Sequence, residues 1–207
     1  ITFRDEPFLR GHGTLNNSVA LTNHGVVRPG VAVGQLTING QLSVEPESVF
    51  KFQMYDASAQ AGSPTGWDHL QVTQSIDFQS SARDAYHLEV TTVDDEGLAA
   101  PVLNFDPRFN QQWSLISAAS LGGLDESSFS LDAMGFQSEH TLPRGADFHL
   151  SATDTELLLN YDVVLGDFDL NRTLDARDID QLSAQIRTGN ADLTMDLNLD
   201  GELNLLD

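Results

Sequence analysis

The sequence predicts an all-β protein followed by a C-terminal segment of a different kind. Three observations support this division. Apolar and polar residues alternate in short bursts over most of the chain, clusters of turn-forming residues separate the bursts, and from about residue 166 acidic residues recur at fixed spacing instead. Strands this short cannot bury a face alone, so consecutive strands have to stack in coils or pair as a meander, and both arrangements remain open.

Composition narrows the classes of partner. The chain has 207 residues, and its 31 acidic and 10 basic residues give a formal net charge of -21. A charge of this sign repels phosphate backbones and anionic lipid surfaces, so we expect no nucleic-acid partner. No apolar run approaches the roughly 18 residues of a membrane span, so we expect no membrane insertion. The chain has no cysteine, which excludes disulfides and thiolate metal sites.

We call the all-β part of the chain, residues 1–163, the β body. Its first part consists of short bursts of alternating apolar and polar residues between Gly13 and Met54. Turn formers separate them, at Asn23-His24-Gly25, Arg28-Pro29-Gly30 and Asn39-Gly40. The phrases Gly13-Thr14-Leu15, Gly25-Val26-Val27-Arg28-Pro29-Gly30 and Gly34-Gln35-Leu36-Thr37-Ile38-Asn39-Gly40, with Trp67-Asp68-His69-Leu70 after them, resemble the autotransporter-associated β-strand repeat of bacterial surface proteins. The resemblance covers residues 11–75. It implies a right-handed parallel β-solenoid in an extracellular protein, and it implies no reaction.

The second part of the body, residues 76–163, continues as strands joined by loops rich in glycine, serine and aspartate, such as Gly122-Gly123. Its last alternation, from Phe148 to Leu150 and from Leu157 to Tyr161, predicts a hairpin that closes the sheet. An open solenoid end invites edge-to-edge association, so we expect a β-sandwich or jelly-roll cap here. The predicted domains are therefore solenoid rungs over 1–75, a cap over 76–163 and a C-terminal module over 164–207.

The C-terminal module contains two loops with the spacing of calcium ligands. Oxygen-bearing side chains fall at positions 1, 3, 5, 9 and 12 of a twelve-residue loop, and position 7 supplies a backbone carbonyl. The first loop starts at Asp167 and the second, 29 residues later, at Asp196. Position 6 requires a sharp turn and holds Gly201 in the second loop but Arg172 in the first, so the first loop should be the more strained. Leu174, at position 8, is expected to face the core.

A helix is predicted between the two loops. Ile179, Leu182 and Ile186 have helical spacing within residues 176–187, and Gly189-Asn190 ends the pattern. Loop-then-helix duplicates closed by aspartate at position 12 resemble type I dockerin modules, and the resemblance covers residues 166–207. It implies two Ca²⁺ shells, one of Asp167, Asp169, Asn171, Thr173, Asp175 and Asp178, the other of Asp196, Asn198, Asp200, Glu202, Asn204 and Asp207.

The dockerin resemblance has two departures. Dockerins that bind cohesins commonly carry Ser-Thr at positions 10 and 11, where this chain has Ala176-Arg177 and Leu205-Leu206. The second exit helix is also missing, because the sequence ends on the last ligand.

The sequence contains no convincing catalytic centre. The single lysine, Lys51, has apolar neighbours, and the Asp94-Asp95-Glu96 cluster is typical of a solvated turn. Six scattered histidines show no metal-binding pair, and no Gly-x-Ser-x-Gly elbow occurs. Trp67 and Trp113 could stack on a sugar ring, although core packing is the better interpretation. We therefore predict that the protein is not an enzyme.

The sequence favours a non-catalytic scaffold or adhesive segment, secreted or on the bacterial cell surface. Its calcium module would mediate attachment to another protein chain, either a second copy or a surface receptor. Two alternatives stay open. One is a carbohydrate-binding or polysaccharide-active surface protein with glycans as partners, and the other is a subunit of a self-assembling surface filament.

Overall fold

The structure is a computed structural model and describes residues 2–3, 8–21, 25–79, 85–122, 124–189 and 192–207. Most of its regular structure is β-strand, arranged in two sheets. The strands are β1 Thr2–Phe3, β2 Phe8–Gly11, β3 Gly13–Leu15, β4 Val19–Leu21, β5 Val26–Pro29, β6 Gln35–Ile38, β7 Leu42–Val44, β8 Val49–Met54, β9 His69–Phe78, β10 Tyr86–Thr92, β11 Gln111–Ser120, β12 Phe129–Asp132, β13 Asp147–Ala152 and β14 Glu156–Asp162.

The helices are few and short. The α-helices are α1 Met134–Gln137 and α2 Ala176–Thr188, and 3₁₀ turns cover Glu126–Ser128 and Leu193–Met195. Within the described residues, no helix has the length and apolar character needed to cross a bilayer. The predicted turn residues Asn23, His24 and Gly123 lie outside the described residues.

The larger sheet has the strand order β1-β4-β7-β9-β11-β14-β13; in addition, β6 pairs with β9, and β3 pairs with β6. The smaller sheet has the order β12-β10-β8-β5-β2. The registers among β1 to β12 are parallel, as in the pairings of Val19 with Leu42 and of Leu42 with Ile76. Strands β13 and β14 are instead joined by a tight turn, in which the Thr153 N–H donates to the Glu156 carbonyl at 2.8 Å. Parallel pairing requires crossovers, and the chain provides them by passing from one sheet to the other.

Alternation along the strands builds the core. In β8, Phe50 and Phe52 are fully buried, and in β10 Leu88 and Val90 are fully buried beside them in register. An aromatic cluster continues this core, with ring centroids 5.1 to 6.2 Å apart among Phe50, Phe78, Tyr86 and Phe129. Edge and tilted contacts at these distances suit the ring quadrupole.

Both tryptophans belong to the core. Trp113 is 1% exposed and Trp67 is 8% exposed. The Trp113 indole N–H donates to the Ala57 carbonyl at 3.0 Å, and that of Trp67 donates to the Ser114 carbonyl at 2.8 Å. Neither ring presents a face to solvent, so neither can stack on a sugar in this conformation.

The predicted right-handed β-solenoid with a separate β-sandwich or jelly-roll cap is wrong. In the part of the chain that the structure describes, the strands form two sheets with parallel and mixed pairing, and neither sheet closes. Strand β9 pairs with both β6 and β7. Strands β10 and β11 then add to β8 and β9. Later strands of the same chain thus extend the edges of the early strands, as edge pairing requires.

The chain divides into two compact units. The first comprises Ile1–Phe105, Gln112–Glu139 and His149–Asn160, and the second comprises Asp106–Gln111, His140–Phe148 and Tyr161–Asp207. The second unit contains α2 and both acidic loops. The domain limits expected from the sequence, 1–75, 76–163 and 164–207, stay a prediction.

Candidate metal centre

The first acidic loop follows β14 through a turn in which Gly166 has a φ of 90° and the Asp167 N–H donates to the Val164 carbonyl at 3.0 Å. Phe168, directly after the first expected ligand, is 3% exposed and anchors the loop to the unit. Asp167 and Asp178, at positions 1 and 12, are each only 4% exposed. Burying a carboxylate costs free energy unless hydrogen bonds or a cation compensate it.

Backbone N–H groups supply part of that compensation. Asp167 accepts hydrogen bonds from the N–H groups of Asn171 at 3.1 Å and Arg172 at 2.6 Å. Asp178 accepts from Phe168 at 2.8 Å, from Asp169 at 3.2 Å and from Asp175 at 2.9 Å. These two carboxylates therefore fix the start, the middle and the end of the loop.

Three carboxylates converge in this loop. Asp167, Asp169 and Asp178 each place one oxygen within 4.8 Å of the other two. Oxygens on opposite sides of a Ca²⁺ ion are about 5 Å apart, since each lies roughly 2.3 to 2.6 Å from the ion. Three negative charges at this spacing repel one another strongly in the absence of a cation. The arrangement has the size and charge of a divalent cation site.

The protonation state of Asp178 suits a ligand. Hydrogen bonds from the backbone N–H groups, first that of Asp175 and then those of Asp169 and Phe168, hold the pKa of Asp178 below its usual range. The carboxylate therefore remains charged at neutral pH, as metal coordination requires.

Helix α2 begins inside the first loop. Asp175 is its N-cap and accepts from the Arg177 N–H at 2.7 Å, while Asp178 accepts from the Asp175 N–H, which completes a capping box. Gly189 ends the helix in the left-handed conformation, with φ 66°. The prediction of a helix over residues 176–187 that ends at Gly189 is confirmed, whereas Asn190 lies outside the described residues.

The second loop repeats the hydrogen bonds of the first. Asp196, 3% exposed, accepts from the N–H groups of Leu199 at 2.7 Å and Gly201 at 2.8 Å. Asp207 accepts from Leu197 at 3.1 Å and Asn204 at 2.8 Å. In both loops, position 12 accepts from the N–H groups of positions 2 and 9, and position 1 accepts from the N–H of position 6. The loops differ in the second N–H that position 1 accepts, which belongs to position 5 in the first loop and to position 4 in the second.

The remaining expected ligands behave alike in both loops. At position 5, Asn171 accepts from the Thr173 N–H at 2.7 Å, and Asp200 accepts from the Glu202 N–H at 2.9 Å. At position 9, Asp175 accepts from the N–H of position 11 at 2.7 Å, and Asn204 does the same at 2.8 Å. Of the ligands expected at positions 3 to 9, Asp169 and Asn204 are half-buried, and the others are exposed: Asn171, Thr173, Asp175, Asn198, Asp200 and Glu202.

Positive φ angles mark the same two positions of each loop. At position 6, Arg172 has φ 62° and Gly201 has φ 85°, as expected from the sharp turn there. At position 4, Leu170 and Leu199 have φ 62° and 59°, a feature that the sequence does not reveal. Branched side chains rarely adopt this conformation, so its occurrence at matching positions indicates a shared structural requirement.

The two loops differ in their surroundings. Helix α2 continues from the first loop, and Asp178 is buried, whereas Asp207 is half-buried. Within the described residues, the close group of three carboxylates occurs in the first loop. The segment before the second loop is fixed by the Arg144 N–H, which donates to the Thr194 carbonyl at 2.7 Å, and by Met195, which is fully buried.

The expected inward orientation of Leu174 is wrong. Its side chain is 61% exposed, and its counterpart Leu203 is half-buried. Phe168 and Met195, which flank the first ligands, supply the buried apolar contacts instead. Apolar residues beside position 1 are the sequence signal that could have identified these anchors.

Two other groups singled out in the sequence have local partners. Asp94 accepts hydrogen bonds from the N–H groups of Glu96 at 3.0 Å and Leu98 at 2.9 Å, which closes a turn. Lys51 forms an ion pair of 2.6 Å with Glu89 on the neighbouring strand. Both arrangements are local surface structure of the body.

A buried carboxyl in the body was not anticipated. Asp68 is fully buried and accepts hydrogen bonds from the N–H groups of Gly34 at 2.8 Å and Gln53 at 2.9 Å. Burial raises the pKa of Asp68 to about 8, against the opposing effects of these N–H groups and of the Arg28 charge. The Asp68 carboxyl thus joins β8, through Gln53, to the turn before β6, through Gly34.

No family model, no curated protein and no solved structure matches the chain.

Proposed function

We propose that residues 167–207 form a calcium-binding module with two sites. The proposal rests on a hydrogen-bond network that is repeated in the two loops. In both loops, the side chains at positions 5, 9 and 12 accept hydrogen bonds from equivalent backbone N–H groups. The carboxylate at position 1 also accepts from the position 6 N–H in both. In the first loop, three carboxylates also place oxygens within 4.8 Å of one another. We infer that each loop coordinates one ion.

The donor set selects the ion. Ligands of the first site are Asp167, Asp169, Asn171, Thr173, Asp175 and Asp178, and those of the second are Asp196, Asn198, Asp200, Glu202, Asn204 and Asp207. All offer oxygen, and the chain has no cysteine. Hard oxygen donors in a flexible loop suit Ca²⁺ better than Zn²⁺, which prefers nitrogen and sulfur, or Mg²⁺, which demands a rigid octahedron.

The module serves, in this proposal, to attach a non-catalytic extracellular β body to another protein chain. Apolar side chains surround the loops and are strongly exposed: Leu205 is 89%, Leu206 79%, Ile179 66% and Leu174 61% exposed. Exposed leucines of this kind mark interaction surfaces, and burying them stabilises a complex by about 25 cal/mol per Å² of apolar area. The occupant is a second copy or a receptor of the bacterial surface.

Calcium is expected to stabilise the second unit, while the β body responds little. An ion at 100 times its Kd stabilises a site by about 2.7 kcal/mol because it binds the folded loop alone. Thermal scans of the whole chain with calcium and with chelator should therefore show one transition that moves and one that does not. Magnesium in place of calcium controls for a general effect of divalent charge.

A single transition that chelator leaves unchanged would contradict the calcium proposal. Stabilisation by magnesium equal to that by calcium would contradict the choice of ion.

The apolar surface of the module is expected to mediate association. The double variant Leu205→Asp, Leu206→Asp should lower the apparent mass in light scattering with calcium, because charge replaces the two most exposed leucines. Leu98→Asp is the matched control, since Leu98 is 61% exposed in the β body. If the wild-type protein is monomeric with and without calcium and its module retains no bacterial envelope protein, the attachment function is wrong.

A further inference from the structure

Two arginines lie side by side on the smaller sheet. Arg10 in β2 and Arg28 in β5 are paired in a parallel register, so their side chains leave the same face of the sheet. Arg10 is exposed and Arg28 is half-buried. The chain has ten basic residues in all, so a pair in direct register is a marked local concentration of positive charge.

The two guanidinium groups converge on one acceptor. An Nη2 of Arg10 donates to the Val31 carbonyl at 3.2 Å, and an Nη2 of Arg28 donates to the same oxygen at 3.4 Å. Arg28 also donates to Oε1 of Gln53. The turn that presents this carbonyl requires glycine, because Gly30 has φ 79° and a Cβ there would lie 2.9 Å from Oδ1 of Asp68.

Donor capacity remains after these contacts. Each guanidinium carries five N–H donors in a planar fork. Nε of Arg28 has no hydrogen-bond partner among the described residues, although it is buried. No carboxylate of a described residue forms an ion pair with either arginine. The pair therefore has spare donors and no directly bound counter-charge within the described part of the chain.

The electrostatics of the pair agree with this geometry. Burial lowers the pKa of Arg28, and the positive charge of Arg10 lowers it further, while Asp68 opposes both. Two like charges held against one carbonyl repel each other, and a negatively charged group beside them would relieve that repulsion.

We propose that Arg10 and Arg28 form a binding site for an oxyanion, that is, a sulfate or carboxylate group. The planar fork of arginine matches two oxygens of such a group, and charge-assisted hydrogen bonds of this kind are strong. Val31, at 59% exposed, leaves the site open to solvent. The oxyanion comes from a free small ion or from an acidic polysaccharide, and both offer the same chemistry.

Titration with sodium sulfate tests the site. Amide chemical shifts of the full chain, with chloride matching the ionic strength, should show saturable binding centred on residues 10, 28, 30 and 31, since Pro29 has no N–H. Arg10→Gln should weaken that binding at least tenfold, because it removes one of the two charges. Arg187→Gln is the matched control and should leave binding unchanged. Arg187 is an exposed arginine of α2, far from Arg10 and Arg28 in the sequence, and it donates to the Ser183 carbonyl. Arg10 is exposed, so its replacement should not unfold the protein, which circular dichroism verifies.

Polysaccharides distinguish the source of the oxyanion. An acidic glycan is supported as the ligand if a sulfated or uronate-containing polymer binds, if Arg10→Gln weakens that binding, and if a neutral polymer does not bind. Saturable binding of sulfate alone, with the same dependence on Arg10, supports a small ion. Absence of saturable binding to wild type, or equal binding to Arg10→Gln, would overturn the site.

Discussion

Asp196→Ala is expected to abolish calcium binding in the second loop and to leave the first loop intact. Asp196 is 3% exposed and holds the N–H groups of Leu199 and Gly201, so its removal leaves both the ion and two backbone donors without a partner. An unpaired donor costs about 1 to 3 kcal/mol where it is fully buried, and these two hydrogen bonds are part-buried, so a smaller penalty adds to the lost ion. Titration calorimetry should report two sites in wild type and one in the variant.

Asp94→Ala is the matched control for this substitution. Asp94 also accepts two backbone N–H groups through one side chain, but it belongs to a turn of the β body. The control should retain both calcium sites. Loss of a site in both variants, or in neither, contradicts the assignment of Asp196 as a ligand.

The β body is expected to lose stability as the pH rises from about 4 to about 8. Burial raises the folded-state pKa of Asp68 to about 8 from an ordinary value of 3.8, so the folded state keeps a proton that the unfolded state releases in this window. Raising the pH therefore favours the unfolded state, and the effect is complete once the pH exceeds the folded-state pKa. Within the window the slope is about 1.4 kcal/mol per pH unit.

Denaturant unfolding at several pH values measures this slope. Asp68→Asn should remove most of it, because the amide does not titrate, although its NH₂ group faces a backbone donor and lowers stability at low pH. Asp95→Asn, in an exposed turn, should leave the slope in place. A slope that survives in Asp68→Asn would show that other groups produce it.

The local parts of the structure could be predicted from the sequence, and the long-range parts could not. Helix α2 and the two loops depend on residues within twelve positions of one another, such as the capping pair Asp175 and Asp178. The two-sheet architecture depends on which strand edges meet. Alternation in β9 is equally compatible with a cap and with an added strand, and only the pairing with β6 and β7 decides between them.

Some features of the candidate sites leave no trace in the pattern. Leu170 and Leu199 adopt the left-handed conformation, which leucine usually avoids, so the residue type does not predict it. Leu174 is exposed, whereas Phe168 and Met195 are buried, and the spacing of ligands does not distinguish these positions. The convergence of Arg10, Arg28 and Val31 follows from a register between strands that are separated by a crossover.

The carboxylate of Asp178 has two tasks. It closes the first loop as the last expected ligand, and it also forms the capping box that starts α2. If the loop binds calcium as proposed, ion binding and formation of the helix share one chemical group and are thermodynamically linked. A thirteen-residue helix of this kind is marginal alone in water. Under the calcium proposal, we therefore expect chelator to lower the helical ellipticity of α2, which circular dichroism would report.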